Sequence, residues 1–196
     1  MKHLRLLLAL WVLAIVAACG LPEDPAPRII AAGDAPLALG DATTPTSTDE
    51  GPGATSVQLW FVDPTGDATV LRPLDRALRD TTPAGVFRTL LDGILADDPF
   101  SVTTAIPIDT QLLGAGVDGT TAVINLGPAG NAGIFAIGGD EQKTAFGQLV
   151  FTALELPGVD SVRFEHDGEP FDAPSDNGTK SPVTDADYPS LDPGRR

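Results

Sequence analysis

Between residues 57 and 171 the apolar positions recur with two periods, and these mark out the elements. Val57, Leu59 and Phe61 alternate with Gln58 and Trp60, the period of two that lays one side of a strand on a core. Asp63-Pro64-Thr65-Gly66-Asp67 is turn chemistry, and Val70 to Leu74 reads as the returning strand. Pro73 lacks an N–H and belongs at an edge or a strand end. Thr82 followed by Pro83 is a helix start, a side-chain cap and then a proline in the first turn. Val86, Phe87, Leu90, Leu91, Ile94 and Leu95 share one helical face, and Asp97-Asp98-Pro99 stops it. "QLLGAGV" and "TAVINL" flank Asp118-Gly119, a hairpin signal. Asp140 can cap a second helix with Ala145, Phe146, Leu149, Val150, Ala153 and Leu154 on one face, closed by Leu156-Pro157-Gly158. Val162 and Phe164 mark a further strand, Asp167-Gly168 turns the chain back, and Glu169 to Phe171 adds a short edge. The order ββαββαβ(β) predicts an α+β fold, a two-layer sandwich with two helices on one face of a mostly antiparallel sheet.

Outside that stretch the patterning changes. Lys2 and Arg5 precede an unbroken apolar run from Leu6 to Val16, and small residues follow. This is the plan of a secretory signal peptide, residues 1–18, and the run is short for a membrane span. Val16-Ala17-Ala18-Cys19 resembles a bacterial lipobox, which implies that the Cys19 thiol is lipidated and becomes the new N-terminus. Several acyl chains hold a protein where one holds poorly. Cys19 is the only cysteine of the chain, so no internal disulfide can form. Residues 20–56 hold six prolines, five glycines and six acids against one base, Arg28. With Cys19 they read as a disordered tether, 19–56, reaching roughly 30–40 Å on average. Residues 172–196, rich in Asp, Pro, Ser and Gly, read as a disordered tail. The domain proper is then 57–171.

The stretches "AIPIDTQLLGAGVDGTTAVINL" and "LPGVDSVRFEHDGEPF", with "WFVDPTGDATVLRP" ahead of them, resemble the GerMN domain, named for a spore-germination protein. The carrying pieces are Ile106-Pro107 with Thr110 and Leu112-Leu113-Gly114, the run Pro157-Gly158-Val159-Asp160-Ser161-Val162, and the turn Asp167-Gly168. The resemblance implies an α+β fold of the ring-building type and a place among GerMN-containing envelope lipoproteins. It brings no catalytic residues to carry over.

Charge and chemistry narrow the function. The chain has a formal charge of −15, and from Cys19 onward 10 basic residues face 27 acids, giving −17. Nucleic acid is therefore excluded as a partner, because phosphate contacts run on Lys and Arg. An anionic membrane surface repels the domain too, which leaves the lipid as the attachment. Three lysines against nine arginines, with abundant Ala, Gly and Asp, point to a GC-rich genome such as an actinobacterium's. A nucleophilic serine needs a base within reach. Ser161 and His166 fall on opposite faces of the strand over 160–166, which opposes a dyad. Neither Asp63 with Asp67 nor Asp97 with Asp98 has the spacing of a calcium loop, and beyond the signal peptide the single histidine, His166, cannot build a zinc cage. No catalysis, no metal and no cofactor are expected. The loop 127–139 holds five glycines and no Lys or Arg, unlike a phosphate loop. Its apolar trio Ile134, Phe135 and Ile137 could fold over the helix or contact a partner. The sequence thus reads as a lipid-anchored interaction or scaffold protein on the extracytoplasmic side of the cell membrane, binding an envelope protein or itself. The alternative is a lipoprotein that captures a small ligand or a cell-wall fragment.

Overall fold

Strand β1 (Thr55–Asp63) pairs antiparallel with β2 (Val70–Leu78), in register from Thr55 opposite Leu78 to Asp63 opposite Val70. The structure, a computed structural model, describes residues 53–64, 69–128 and 130–195, all within the compact unit Ser47–Arg196. Cys19 and most of the expected tether lie outside the described residues. Leu59, Phe61 and Leu71 turn inward and are fully buried, as their alternation requires. Pro73 stands in mid-strand opposite Trp60, tolerated because the sheet has only these two strands.

Helix α1 (Pro83–Asp92) starts as expected, with the Thr82 hydroxyl accepting from Gly85 N at 3.2 Å. It ends sooner than the apolar spacing suggests. Gly93 has φ 83°, which breaks the helix, so Ile94 and Leu95 leave the buried face and are exposed. Asp98, expected only to stop the helix, accepts from Leu95 N at 2.7 Å and from Arg76 Nη1 at 2.6 Å.

Strand β3 (Gln111–Asp118) forms the expected hairpin with β4 (Thr121–Gly127). Helix α2 (Gly139–Leu154) then crosses to β5 (Ser161–His166), and β6 (Glu169–Phe171) returns. The second sheet is ordered β3-β4-β5-β6. Its pairings are antiparallel except β4 with β5, which run parallel from Thr121 opposite Ser161 to Leu126 opposite His166. A parallel pair needs a crossover, and α2 is that crossover. The fold is α+β, with the expected element order and mostly antiparallel pairing; the strands fall into separate sheets instead of one.

Two expectations fail at α2 and after β6. Asp140 does not cap α2; Gly138 is the cap residue, and Asp140 sits in the first turn, 3.1 Å from Lys143 Nζ. Nor is the helix one-faced, for every residue from Thr144 to Ala153 is buried. What covers its remaining side includes the segment read as a disordered tail. Residues 173–195 are folded: β7 (Ala173–Ser175) pairs with β8 (Gly178–Lys180), and 3-10 turns follow at Asp185–Asp187 and Pro193–Arg195. Ala173, Val183, Tyr188 and Leu191 are buried. A Cβ on Gly147 would lie 2.5 Å from Leu191 Cδ1 and 3.4 Å from the Tyr188 ring, so the helix leaves a side chain out where the strap crosses it. The strap is tied at its middle and near its end, Val183 bonding both ways with Val162 and Leu191 O accepting from Leu71 N at 2.9 Å.

Candidate interaction surface

The apolar trio of the glycine-rich loop folds over the core instead of facing outward. Ile134 is fully buried in the 3-10 turn Gly133–Phe135, while Phe135 and Ile137 pack partly buried against the core. Phe135 stacks on the His166 ring at 3.7 Å between centroids, and meets Phe171 edge-on at 5.1 Å. Of the two roles the trio left open, this is the first, and Ile134 is not available to a partner. His166 Nε2 lies 3.3 Å from Pro128 O, so the histidine pins the loop to the end of β5. Ser161 looks the other way, its hydroxyl 3.0 Å from Thr121 Oγ1. No Ser–His pair forms between them. Among the described residues no three His, Cys, Asp or Glu side chains converge as metal ligands do.

The apolar side chains that do face solvent lie in the segment after α1 and on β3. Phe100 is 105% exposed and Ile108 is 99% exposed, and Ile94, Leu95, Leu113 and Val117 are exposed as well. Local geometry sets each of them out. Pro107 O accepts from Thr110 N at 2.9 Å, a tight turn that buries Ile106 and throws Ile108 out. Pro99 O accepts from Val102 N at 3.0 Å and does the same for Phe100. A hollow of about 410 Å³ runs beside Ile108, lined by Arg88, Leu91 and Asp92 of α1 and by Leu112 and Leu113 of β3. The loop 94–100 is held by polar contacts. Arg76 and Asp98 form a two-pronged ion pair with side chains only 11% and 4% exposed, and the guanidinium lies 5.4 Å from the Phe61 ring centre. Burial works against the Asp98 charge, but Arg76 and the Leu95 N–H outweigh it and hold the carboxyl below its ordinary range.

Sequence reasoning did not single out Phe100 or Ile108. The available signal was an apolar residue set among Pro and Asp, as in Pro107-Ile108-Asp109, where neither helix nor strand period gives it a buried neighbour.

The strand edges differ in how they are finished. On β1, the outward N–H of Trp60 donates to Thr152 Oγ1 at 3.0 Å, its carbonyl accepts from Gln148 Nε2 at 3.1 Å, and Val62 exchanges bonds with Thr103. The outer side of β2 takes Leu191, and β6 is three residues long and holds Pro170. The outer side of β3 has no such cover: apart from its pairing with β4, no hydrogen bond among the described residues reaches 112–118.

Comparison with known proteins places this architecture. Residues 58–172 match the family model Germane, described as sporulation and spore germination. The tandem GerMN domains of the sporulation protein GerM from Bacillus subtilis share the fold at a TM-score of 0.55 and 14% identity. That likeness covers 74% of this chain and 49% of the tandem one, so the chain spans about half the length of that structure. The first GerMN domain of the same protein aligns at a TM-score of 0.49 and 15% identity, over 71% of this chain and 98% of that one. No curated protein sequence matches. No helix among the described residues is long and apolar enough to cross a membrane. The strap beyond Asp172 lies outside the matched stretch, but the domain it closes is the matched one: this chain belongs to the Germane family of sporulation and spore germination.

Proposed function

We propose that the chain is a lipid-anchored protein of the cell envelope, held outside the cytoplasmic membrane through Cys19, and that its Germane domain docks another protein and catalyses nothing. One observation carries the docking reading: the fully exposed Ile108 beside the α1–β3 hollow, with exposed Leu113 on the hollow's β3 wall. Single exposed apolar residues are ordinary, but Ile108 and Leu113 line one hollow together, as an interface leaves them in the free protein. Membership in a sporulation and germination family and the lipobox-like Val16-Ala17-Ala18-Cys19 support the envelope setting.

Photo-crosslinking residues placed at positions 100 and 108 in intact cells test the docking surface. Discrete protein adducts are expected there and none from the exposed position 172 on the far segment. Adducts no stronger at 100 and 108 than at 172 would reject it. Cys19→Ser is expected to move the protein from the membrane to the soluble fraction, and retention in the membrane would reject lipid anchorage. Capture of a small solute is the second reading, favoured by the same hollow, where Arg88 and Asp92 flank Leu91 and Leu112. A solute that shifts the Leu91 and Leu112 methyl resonances and suppresses the position-108 adducts would favour it.

A further inference from the structure

The bare edge of β3 is the feature that the docking surface does not by itself explain. A row of outward N–H and C=O groups is a template for another strand, and proteins blunt such edges with charge, proline, shortness or cover. The other long edges of this molecule are finished in those ways, with Thr152, Gln148 and Thr103 on β1 and Leu191 on β2. Strand β3 bulges between Leu112 and Gly114, and α1 packs against it, but from Gly114 to Val117 no hydrogen bond among the described residues, charge or proline guards its outer edge. It is eight residues long, and its stretch from Leu112 to Val117 contains neither a charge nor a proline. Glycines at 114 and 116 leave its outer face flat, with nothing within 4 Å of where a side chain would start.

We infer that the β3 edge pairs with the β3 edge of a second copy of this chain, antiparallel and about a two-fold axis, making one sheet from two. This rests on the reading of the domain as a docking module and names its partner. Three observations favour a copy over another protein's strand. The chain carries −15 formal charges, so two copies repel almost everywhere, and β3 is a neutral strip on that acidic surface. Antiparallel pairing of identical edges is self-complementary, which is what a closed two-fold dimer requires. Finally, Asp118 is the only ionisable side chain on β3, and every antiparallel register that pairs residues 114–117 sets it opposite a neutral residue. A register centred on Gly116 places Ala115 against Val117 of the second copy, on the face that already carries buried Ala122 and Ile124. Ile108 and the hollow lie beside the start of the same strand, so the dimer extends the exposed apolar margin into a shared one.

The test uses the full mature chain in its lipid-free Cys19→Ser form. Sedimentation velocity across micromolar to submillimolar concentration is expected to show a reversible dimer. Hydrogen exchange should show amides of 112–117 protected as concentration rises. Added salt should tighten the dimer, because it screens repulsion between the acidic bodies and leaves backbone pairing intact. Gly114 and Gly116 have room for side chains, so two double variants are folding-neutral: Gly114→Glu with Gly116→Glu, and Gly114→Lys with Gly116→Lys. Each alone crowds like charges at the joint and should weaken dimerisation by about tenfold or more. Mixed together, they should restore a 1:1 dimer. Unchanged thermal melts of the two variants establish that the fold is intact. A wild-type chain that stays monomeric throughout, variants that dimerise like wild type, or a mixture that fails to associate each overturns self-pairing. Adducts from position 108 to a different envelope protein, with a monomeric wild type, overturn self-pairing and leave the docking module standing.

Discussion

Helix α2 and the margin from Ile94 to Asp118 treat polar and apolar groups in opposite ways. Around α2 the polar side chains face inward and are used. Gln148, fully buried, accepts from Ala105 N at 2.6 Å and donates to the Trp60 carbonyl, and Thr152 takes the Trp60 N–H. Apolar residues from the strap then cover what remains. In the 94–118 segment Phe100, Ile108, Leu113 and Val117 face outward, though Val102 and Ile106 are buried, and the outer side of β3 makes no hydrogen bond among the described residues. The difference teaches that the open margin is not a shortfall of a small chain. This sequence closes one strand edge with buried helix side chains and a second with its own C-terminal segment, so it has the means to close a third.

The largest expected effect comes from breaking the sealed side. Tyr188 is fully buried against Gly147 of α2, and Tyr188→Ala would open a cavity there that the rigid helix cannot collapse into. A loss of about 3–5 kcal/mol is expected, read from urea denaturation. Among the described residues the Tyr188 hydroxyl finds no hydrogen-bond partner, so the loss is mainly that of the ring. A change below about 1 kcal/mol would mean that the strap lies on the surface without belonging to the core, and the contrast with the open margin would fall.

A middle effect comes from the acids that fasten the strap. Lys143 Nζ donates to Asp176 Oδ1 at 2.8 Å, and Ser190 N donates to Asp176 Oδ2 at 2.8 Å. Lys180 Nζ donates to Asp187 Oδ1 at 3.0 Å. Burial opposes charge on both acids, but Lys143 with Ser190, and Lys180 with Thr184, hold the two carboxyls below the ordinary 3.8. Asp176 in turn raises the Lys143 pKa above 10.5. A carboxyl depressed in the folded state adds stability that is complete above its unfolded value and is lost as pH falls through its folded one. The lysine's share is complete below its unfolded value and lost only in strong alkali. Stability should therefore be level from about pH 5 to pH 9 and fall on the acid side. Asp176→Asn should cost about 1–2 kcal/mol on the plateau and flatten the acid limb. Thermal melts between pH 2 and pH 8 check this (roughly the range over which such carboxyls titrate). An acid limb unchanged by the substitution would take the strap's fastening away from this pair.

How legible each region was follows from the same physics. The hairpin at Asp118-Gly119, the Thr82-Pro83 start and the return at Asp167-Gly168 were readable because turns and caps are set by local sterics. Asp167 and Gly168 indeed both adopt positive φ, 53° and 84°. The helix end at Gly93 was hidden because Ile94 and Leu95 continue the apolar spacing past a glycine. The strap was hidden because composition averages over a window. Its anchors are single residues, Ala173, Val183, Tyr188 and Leu191, spaced too widely for any period and set among Asp, Pro and Ser. On α2, the burial of Gln148 and Thr152 was hidden, since sequence cannot tell a polar residue bonded to β1 from one bonded to water. The exposed apolar residues were least legible of all. Buried Ile134 and exposed Ile108 are the same residue type, both in loops outside any helix or strand period, and only the turn around each decides which way it points.

The smallest expected effect is on the open margin, and it separates exposure from instability. Phe100→Ser and Ile108→Ser remove apolar side chains that are as exposed in the folded domain as in an unfolded chain. Little apolar area is reburied or lost, so each should change unfolding free energy by no more than about 0.5 kcal/mol. The same substitutions should abolish the envelope adducts formed from this margin. Urea denaturation of both variants, set beside crosslinking from position 113 in cells, reads the two quantities separately. If Ile108→Ser cost as much as a core truncation, Ile108 would be packed under a cover in the free protein, and its exposure would no longer mark a surface kept open for a partner. A stability left untouched with adducts lost would instead fix the division of labour: α2 and its strap hold the domain together, and the margin beside β3 is what the domain presents.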